Sequence, residues 1–281
     1  MDLKLHGKSA LVSASTAGIG FAIARGLAQE GASVIITGRS SERVEQAICA
    51  LRSSVCAAPP KGLAIAKITQ TNPEAKISGV VADLAKKEGA SQVFQQVPHI
   101  DILVNNLGVY EPKAFSDITD EDWFNIFEAN VLSGVRLSRH YLPKMLEPNW
   151  GRVIFISSES AIQIPVEMIH YGMTKTAQLA IARGLAQSTI GTQVTVNSVL
   201  AGPTRSEGVD DFVAKMAKDR GISPSEVEAD FFKNVRPTSL IKRFATTDEV
   251  AAMVVYLSSP IASATNGAAL RVDGGVVQSV V

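Results

Sequence analysis

An α/β fold, with one parallel sheet doubly wound by helices on both faces, is the class this 281-residue sequence predicts. Three observations carry it. Short apolar, β-branched runs recur without the polar alternation of a half-solvated strand, so each reads as a strand buried on both faces. Segments with helical periodicity separate those runs. No Pro/Ser linker and no internal repeat divides the chain, and its length suits one α/β domain spanning 1–281.

The elements follow in order. Residues 9–12 form a first strand that enters a Ser/Thr/Gly turn, and 20–30 form a helix with Ile23 and Leu27 on one face and Gly31 at its end. Residues 33–37 are a β-branched strand, and Ser40-Ser41-Glu42 caps a helix over 43–52. Strands are expected at 77–81, 100–104, 152–156, 194–199 and 268–272, and helices at 86–97, 170–189 and 248–257. A long helix over 123–145 is expected to break near Pro143. Two stretches depart from the rhythm. Residues 53–71 lengthen the connection after the second strand as a surface insertion. Residues 207–237 mix Phe212, Met216, Phe231 and Phe232 with many charges, the composition of an amphipathic helical flap.

Composition narrows the partners. Lys+Arg and Asp+Glu both number 27, so the net charge is zero, which argues against nucleic acid or an anionic membrane as the main partner. No run is long and apolar enough to span a membrane. The stretch after Lys4 and Lys8 is too polar and Gly-rich for a signal peptide. The two cysteines, Cys49 and Cys56, form neither a disulfide framework nor a metal-ligand spacing, so a reduced cytoplasm and no metal are expected.

Two motifs carry chemistry. The first strand runs into Ser13-Ala14-Ser15-Thr16-Ala17-Gly18-Ile19-Gly20 at a helix start, where free N–H groups and the helix dipole attract pyrophosphate. Tyr171 and Lys175 lie one turn apart on a later helix and share a face. Ser157-Ser158 ends the preceding strand, and Asn130 lies in the long helix upstream. By itself either motif also fits a bland reading: a tight turn, or a surface Tyr/Lys pair. Their ordered co-occurrence resembles the short-chain dehydrogenases/reductases, single-domain Rossmann-type oxidoreductases. Ser13 and Ala14 replace Thr and Gly of that family's T-G-x-x-x-G-x-G loop. Asn105-Asn106-Leu107-Gly108 resembles N-N-A-G, and Ala201-Gly202-Pro203-Thr204 resembles the P-G-x-x-T region. The likeness runs from about Leu5 to Gly275.

The resemblance implies a catalytic set of Asn130, Ser158, Tyr171 and Lys175. Ser158 and Tyr171 would hold the substrate oxygen, and Asn130 would hold a water linking Lys175 to solvent. A free tyrosine titrates near pH 10, so Tyr171 needs a nearby cation to act as general acid/base at neutral pH. The coenzyme would meet Ser13, Ser15, Thr16, Gly18, Ile19 and Gly20 at its phosphates, Arg39, Asp83 and Leu84 at the adenosine, and Asn106, Gly108, Tyr171, Lys175, Gly202 and Thr204 toward the nicotinamide. Gly38 stands where an acidic residue would bind a ribose 2′-hydroxyl, and Arg39 follows. A guanidinium pairs well with phosphate, which favours NADP(H) while leaving NAD(H) possible.

The expected function is interconversion of a small-molecule carbonyl compound and its secondary alcohol by hydride transfer, with reduction favoured. The alternatives are an NAD-dependent polyol or sugar dehydrogenase and a non-catalytic dinucleotide-binding protein. The pocket wall is expected from Ile162, Ile164, Met168, Phe212 and Phe231, with Glu159 and Arg205 either adding polar selectivity or simply pairing in solvent. The resemblance also implies a homodimer or homotetramer.

Overall fold

The computed structural model describes residues 2–56 and 76–280. Thus the 53–71 insertion falls outside the described residues beyond the end of the second helix. The elements in chain order are β1 (Ser9–Val12), α1 (Gly18–Gln29), β2 (Ser33–Gly38), α2 (Ser41–Cys56), β3 (Ile77–Val81), α3 (Lys87–Gln96), β4 (Ile102–Asn105), α4 (Asp120–Phe127), α5 (Ser133–Leu146), β5 (Gly151–Ser158), α6 (Ile169–Gln187), β6 (Val194–Ala201), β7 (Thr204–Arg205), α7 (Glu207–Arg220), α8 (Pro224–Asp230), β8 (Ala245–Thr246), α9 (Thr247–Ser258) and β9 (Ala269–Val272). The main sheet has seven strands in the order β3-β2-β1-β4-β5-β6-β9. Every pairing in it is parallel. This is the doubly wound architecture that the apolar strands predict.

Strand alternation divides the core into two layers. Ala10, Val12, Ile102, Val104, Ile154 and Ile156 face one side, where α1, α2 and α9 supply Ile23, Leu27, Leu51 and Val254. Leu11, Leu103, Val153 and Phe155 face the other, against Val93, Leu137, Tyr141 and Ala182 from α3, α5 and α6. Side chains two residues apart on a strand share a face, so one apolar run feeds both layers. A fully buried aliphatic or aromatic side chain contributes about 1.5–3 kcal/mol, which makes these layers the main stabilising element.

The expected break at Pro143 does not occur. Pro143 lies inside α5, and the discontinuity is instead a π-helical turn at Glu128–Leu132 between α4 and α5. Such a turn inserts an extra residue into the helical register and re-aims the side chains around it. Asn130 is at its centre.

The flap is helical, as its composition predicts. It comprises α7, α8 and a π-turn at Phe231–Val235. Val213, Ala217, Val227 and Phe232 pack with Phe244 into a small core of their own. The chain leaves the sheet through β7 and returns through β8, and these two short strands pair with each other. Among the described residues, no helix is long and apolar enough to cross a membrane.

Candidate active site

The sheet order reverses between β1 and β4, and the predicted site residues gather at the carboxyl ends of the strands around that point. A crevice opens there because the chains leaving the two strands diverge to opposite faces.

The loop after β1 is held from three sides. Ser13 Oγ accepts from the backbone N–H groups of Asn106 (2.8 Å) and Leu107 (2.9 Å). Asn106 Nδ2 donates to the carbonyls of Ser13 (2.9 Å) and Ala14 (3.0 Å). Ser15 Oγ donates to the Val12 carbonyl (2.6 Å) and accepts from Thr37 N (3.1 Å). Ser13, Ser15 and Asn106 thus fix the loop against β4 and β2. Ala14 has φ +50°, the left-handed region, so a residue with a Cβ occupies a conformation suited to glycine. That costs about 1 kcal/mol.

Helix α1 begins at Gly18, whose φ is +59°, and no side chain caps it. Its first turn carries no acidic residue. A Cβ on Gly20 would fall 2.5 Å from Asn106 Nδ2, so close packing there requires glycine. An uncapped helix start lined by Gly18, Ile19 and Gly20 fits the pyrophosphate of a dinucleotide.

At the end of β2, a Cβ on Gly38 would lie 2.6 Å from the Thr16 methyl, so no carboxylate is built there without displacing Thr16. Arg39 is exposed and makes no hydrogen bond or ion pair among the described residues. Asp83 accepts from Ala85 N (3.1 Å) just after β3, and Leu84 is buried. Beyond β6, Thr204 Oγ1 donates to the Gly202 carbonyl (2.8 Å). Gly202 is pressed against the Asp273 backbone, where a Cβ would come within 2.6 Å.

Asn130, Ser158, Tyr171 and Lys175 converge from the π-turn, β5 and α6. Lys175 Nζ donates to the Ile156 carbonyl (2.9 Å) and to Gln178 Oε1 (3.3 Å). Gln178 Nε2 donates in turn to the Asn130 carbonyl (2.7 Å). The Asn130 side chain is engaged on both sides: Oδ1 accepts from Val109 N (2.7 Å), and Nδ2 donates to the Val109 carbonyl (2.9 Å) and Thr174 Oγ1 (3.0 Å). A Cβ on Gly108 would sit 3.1 Å from Lys175 Nζ, so this glycine leaves room for the ammonium.

Gln178 therefore provides a direct side-chain link between Lys175 and the Asn130 carbonyl, a contact the sequence did not suggest. The signal for it was a polar side chain on the face of α6 that also buries Lys175. Burial lowers the Lys175 pKa to about 8, with the Glu159 charge acting in the opposite direction.

Tyr171 departs from expectation. Burial outweighs every other influence and raises its pKa above the ordinary phenol range, while a hydrogen bond with Ser158 pulls the other way. In the polypeptide by itself Lys175 does not acidify the ring. Its Nζ lies 5.6 Å from the ring centroid and is turned to the Ile156 carbonyl.

The pocket wall also differs from expectation. Phe231 turns into the flap's core, stacking on Phe244 with ring centroids 5.2 Å apart. Arg205 pairs on the surface with Asp210 and Glu228. The buried charge pair is instead Glu159 with Arg236, which sequence reasoning missed. Arg236 Nε lies 3.1 Å from Glu159 Oε1 and its Nη1 lies 3.3 Å from Glu167 Oε1. Ser158 Oγ donates to Glu159 Oε2. The partners lie far apart along the chain, so no local pattern announced them.

A sheet switch point, an uncapped glycine-lined helix and a Tyr171/Lys175 pair beside the buried Ser158 fit a nucleotide-dependent oxidoreductase scaffold. A family model described as enoyl-(acyl carrier protein) reductase matches residues 13–277. The chain is 48% identical over 280 residues to the uncharacterized oxidoreductase YvaG of Bacillus subtilis, covering 100% of both. It is 30% identical to the 3-oxoacyl-[acyl-carrier-protein] reductase FabG of Aquifex aeolicus, covering 98% of this chain and 100% of that one. The solved structure of L-sorbose reductase from Gluconobacter frateurii, complexed with NADPH and L-sorbose, superposes with a TM-score of 0.86 at 28% identity and full coverage of both chains. The chain belongs to the short-chain dehydrogenase/reductase family of NAD(P)-dependent oxidoreductases.

Proposed function

We propose that the protein is an NADPH-dependent reductase that converts a ketone into its secondary alcohol, with Asn130, Ser158, Tyr171 and Lys175 as the working residues. The observation that supports this reading is the half-buried Tyr171 placed beside Ser158 and one helical turn from the buried Lys175. A carbonyl oxygen gaining electron density needs a proton donor positioned before the reaction begins.

When bound, the reduced nicotinamide supplies the hydride to the carbonyl carbon. Ser158 and Tyr171 hold the carbonyl oxygen, and Tyr171 gives it a proton. Lys175 offsets the phenolate charge this leaves, from a position set by the Ile156 carbonyl and Gln178. Gln178 and Thr174 brace Asn130 behind it. Burial of the cluster keeps bulk water from screening these charges.

Preference for NADPH rests on the free, exposed Arg39 beside Gly38, a position without a carboxylate to repel a 2′-phosphate. The structural relative with NADPH bound accords with it. The test is kcat/KM for NADPH and NADH across a panel of carbonyl compounds, followed by the absorbance of the reduced nicotinamide. NADPH is expected to be preferred, and Arg39→Ala to reduce that preference by roughly tenfold. A preference for NADH in the unaltered enzyme would overturn the coenzyme assignment.

A further inference from the structure

We propose that Glu159 makes this site selective for carbonyl compounds that carry a hydroxyl on the carbon next to the reacting carbonyl. The inference rests on the reading that Ser158 and Tyr171 hold the reacting oxygen.

It follows from counting hydrogens. The Glu159 carboxylate is buried, with 5% of the residue exposed. Its Oε1 is engaged by Arg236 Nε and its Oε2 by the Ser158 hydroxyl. Ser158 has one hydroxyl hydrogen to give. Its oxygen already accepts from Ser160 N at 3.1 Å, which fixes how the hydroxyl sits. When a substrate carbonyl takes that hydrogen, Glu159 Oε2 loses its only hydrogen bond among the described residues. A buried carboxylate oxygen without a donor is costly.

A donor on the substrate itself restores the balance. Two oxygens on adjacent carbons are separated by about one hydrogen-bond length, as are Ser158 Oγ and Glu159 Oε2. An α-hydroxy ketone can therefore accept from Ser158 through its carbonyl and donate to Glu159 through its hydroxyl. A plain ketone satisfies the first requirement and leaves the second unmet. Arg236 fixes the carboxylate in place from the end of the flap, and its second contact to Glu167 ties it to the segment before α6. Sites built to bond a hydroxyl reject analogues lacking it more strongly than apolar pockets reject a missing methylene.

The experiment compares kcat/KM for hydroxyacetone, methoxyacetone and acetone with saturating NADPH. Methoxyacetone keeps an oxygen at the same carbon but has no hydrogen to donate. The expected result is a preference for hydroxyacetone over methoxyacetone of about tenfold or more. Replacing both members of the ion pair, Glu159→Leu with Arg236→Leu, avoids stranding a buried charge and is expected to bring that ratio close to one. Glu159→Gln, near in shape, is expected to lower it by at least about threefold, and this variant decides the matter should the double variant not fold. A ratio near one in the unaltered enzyme, or a ratio unchanged in a folded variant, overturns the proposal. Reduction of acetone and hydroxyacetone at equal rates removes only the selectivity claim. No reduction of any panel member with either coenzyme removes the reductase reading, and this inference with it.

Discussion

The floor of the site and the flap above it are built by different means. On the floor, Asn130, Thr174, Lys175 and Gln178 are all buried and bonded to one another or to backbone carbonyls of β5 and the π-turn. The flap packs around its own small group of apolar side chains, and its charged contacts, such as Arg220 with Asp230 and Arg205 with Glu228, lie in solvent. Exposed pairs of that kind contribute little to stability. Among the described residues, the buried ion pair that ties the flap to the floor is Arg236 with Glu159. The contrast separates two tasks. Groups that transfer and balance a proton need fixed geometry, which a network of buried hydrogen bonds supplies. A cover that admits substrate needs fewer ties and opens at lower free energy than the sheet.

The largest expected effect tests the floor. Tyr171→Phe removes the proton donor while keeping the ring, and kcat is expected to fall by between roughly a hundredfold and ten-thousandfold. Coenzyme affinity, measured by fluorescence titration, should change little. Full turnover by this variant would mean the floor is not where the proton comes from.

Next in size is a test of the flap's separateness. Phe232→Ala empties the centre of the flap core and is expected to cost the flap about 3 kcal/mol. Hydrogen exchange should accelerate across 207–237 while amides of β1, β4 and β5 keep their protection. Equal acceleration in both would show that flap and sheet open as one unit.

A third test uses the buried ammonium. Lys175 has its pKa lowered from 10.5 to about 8 in the folded protein. Below pH 8 both folded and unfolded chains hold the proton, and the burial penalty is fully present. Between about pH 8 and 10 the unfolded chain keeps a proton that the folded chain has released. Stability should therefore rise with pH in that window, by up to about 1.4 kcal/mol per pH unit from this group. Urea unfolding of the parent and of Lys175→Met across the window isolates the contribution, since the slope difference should vanish in the absence of the lysine.

The smallest effect sharpens the picture of the phosphate loop, which belongs to the floor. Ala14→Gly relieves a positive φ and keeps the local hydrogen bonds, because these are made by the Ala14 backbone. A gain of about 1 kcal/mol is expected, less the entropy glycine costs in the unfolded chain. A clear loss in thermal unfolding would show that the loop tolerates alanine without strain.

Much of this was legible before any coordinates. The strands were marked by apolar runs, the end of α1 by Gly31, and the two motifs by their spacing, while α1 begins at Gly18, two residues before the expected start. The break in the long helix was misplaced because proline is the loudest local signal, whereas the π-turn at Asn130 is set by what Asn130 bonds to elsewhere: Val109, Thr174 and Gln178. Phe231 was assigned to the pocket because composition shows only that it is apolar; its partner Phe244 lies beyond the flap. The upward shift of Tyr171 in the polypeptide by itself is not legible in the sequence for a similar reason. Adjacency to Lys175 along a helix is a local fact, but the balance between its charge and burial depends on everything packed around the ring.

By itself, then, the order of residues determined the strands, their helices and the glycine-rich turn after the first strand, because backbone preference and period act over a few residues at a time, while the four candidate catalytic positions are what the family resemblance implies. Only the tertiary structure decided that Gln178 joins Lys175 to Asn130, that Arg236 crosses from the flap to Glu159, and that burial pushes the Tyr171 hydroxyl up. Those outcomes depend on distance and desolvation between segments far apart in the chain, quantities that take a value only once the chain has folded.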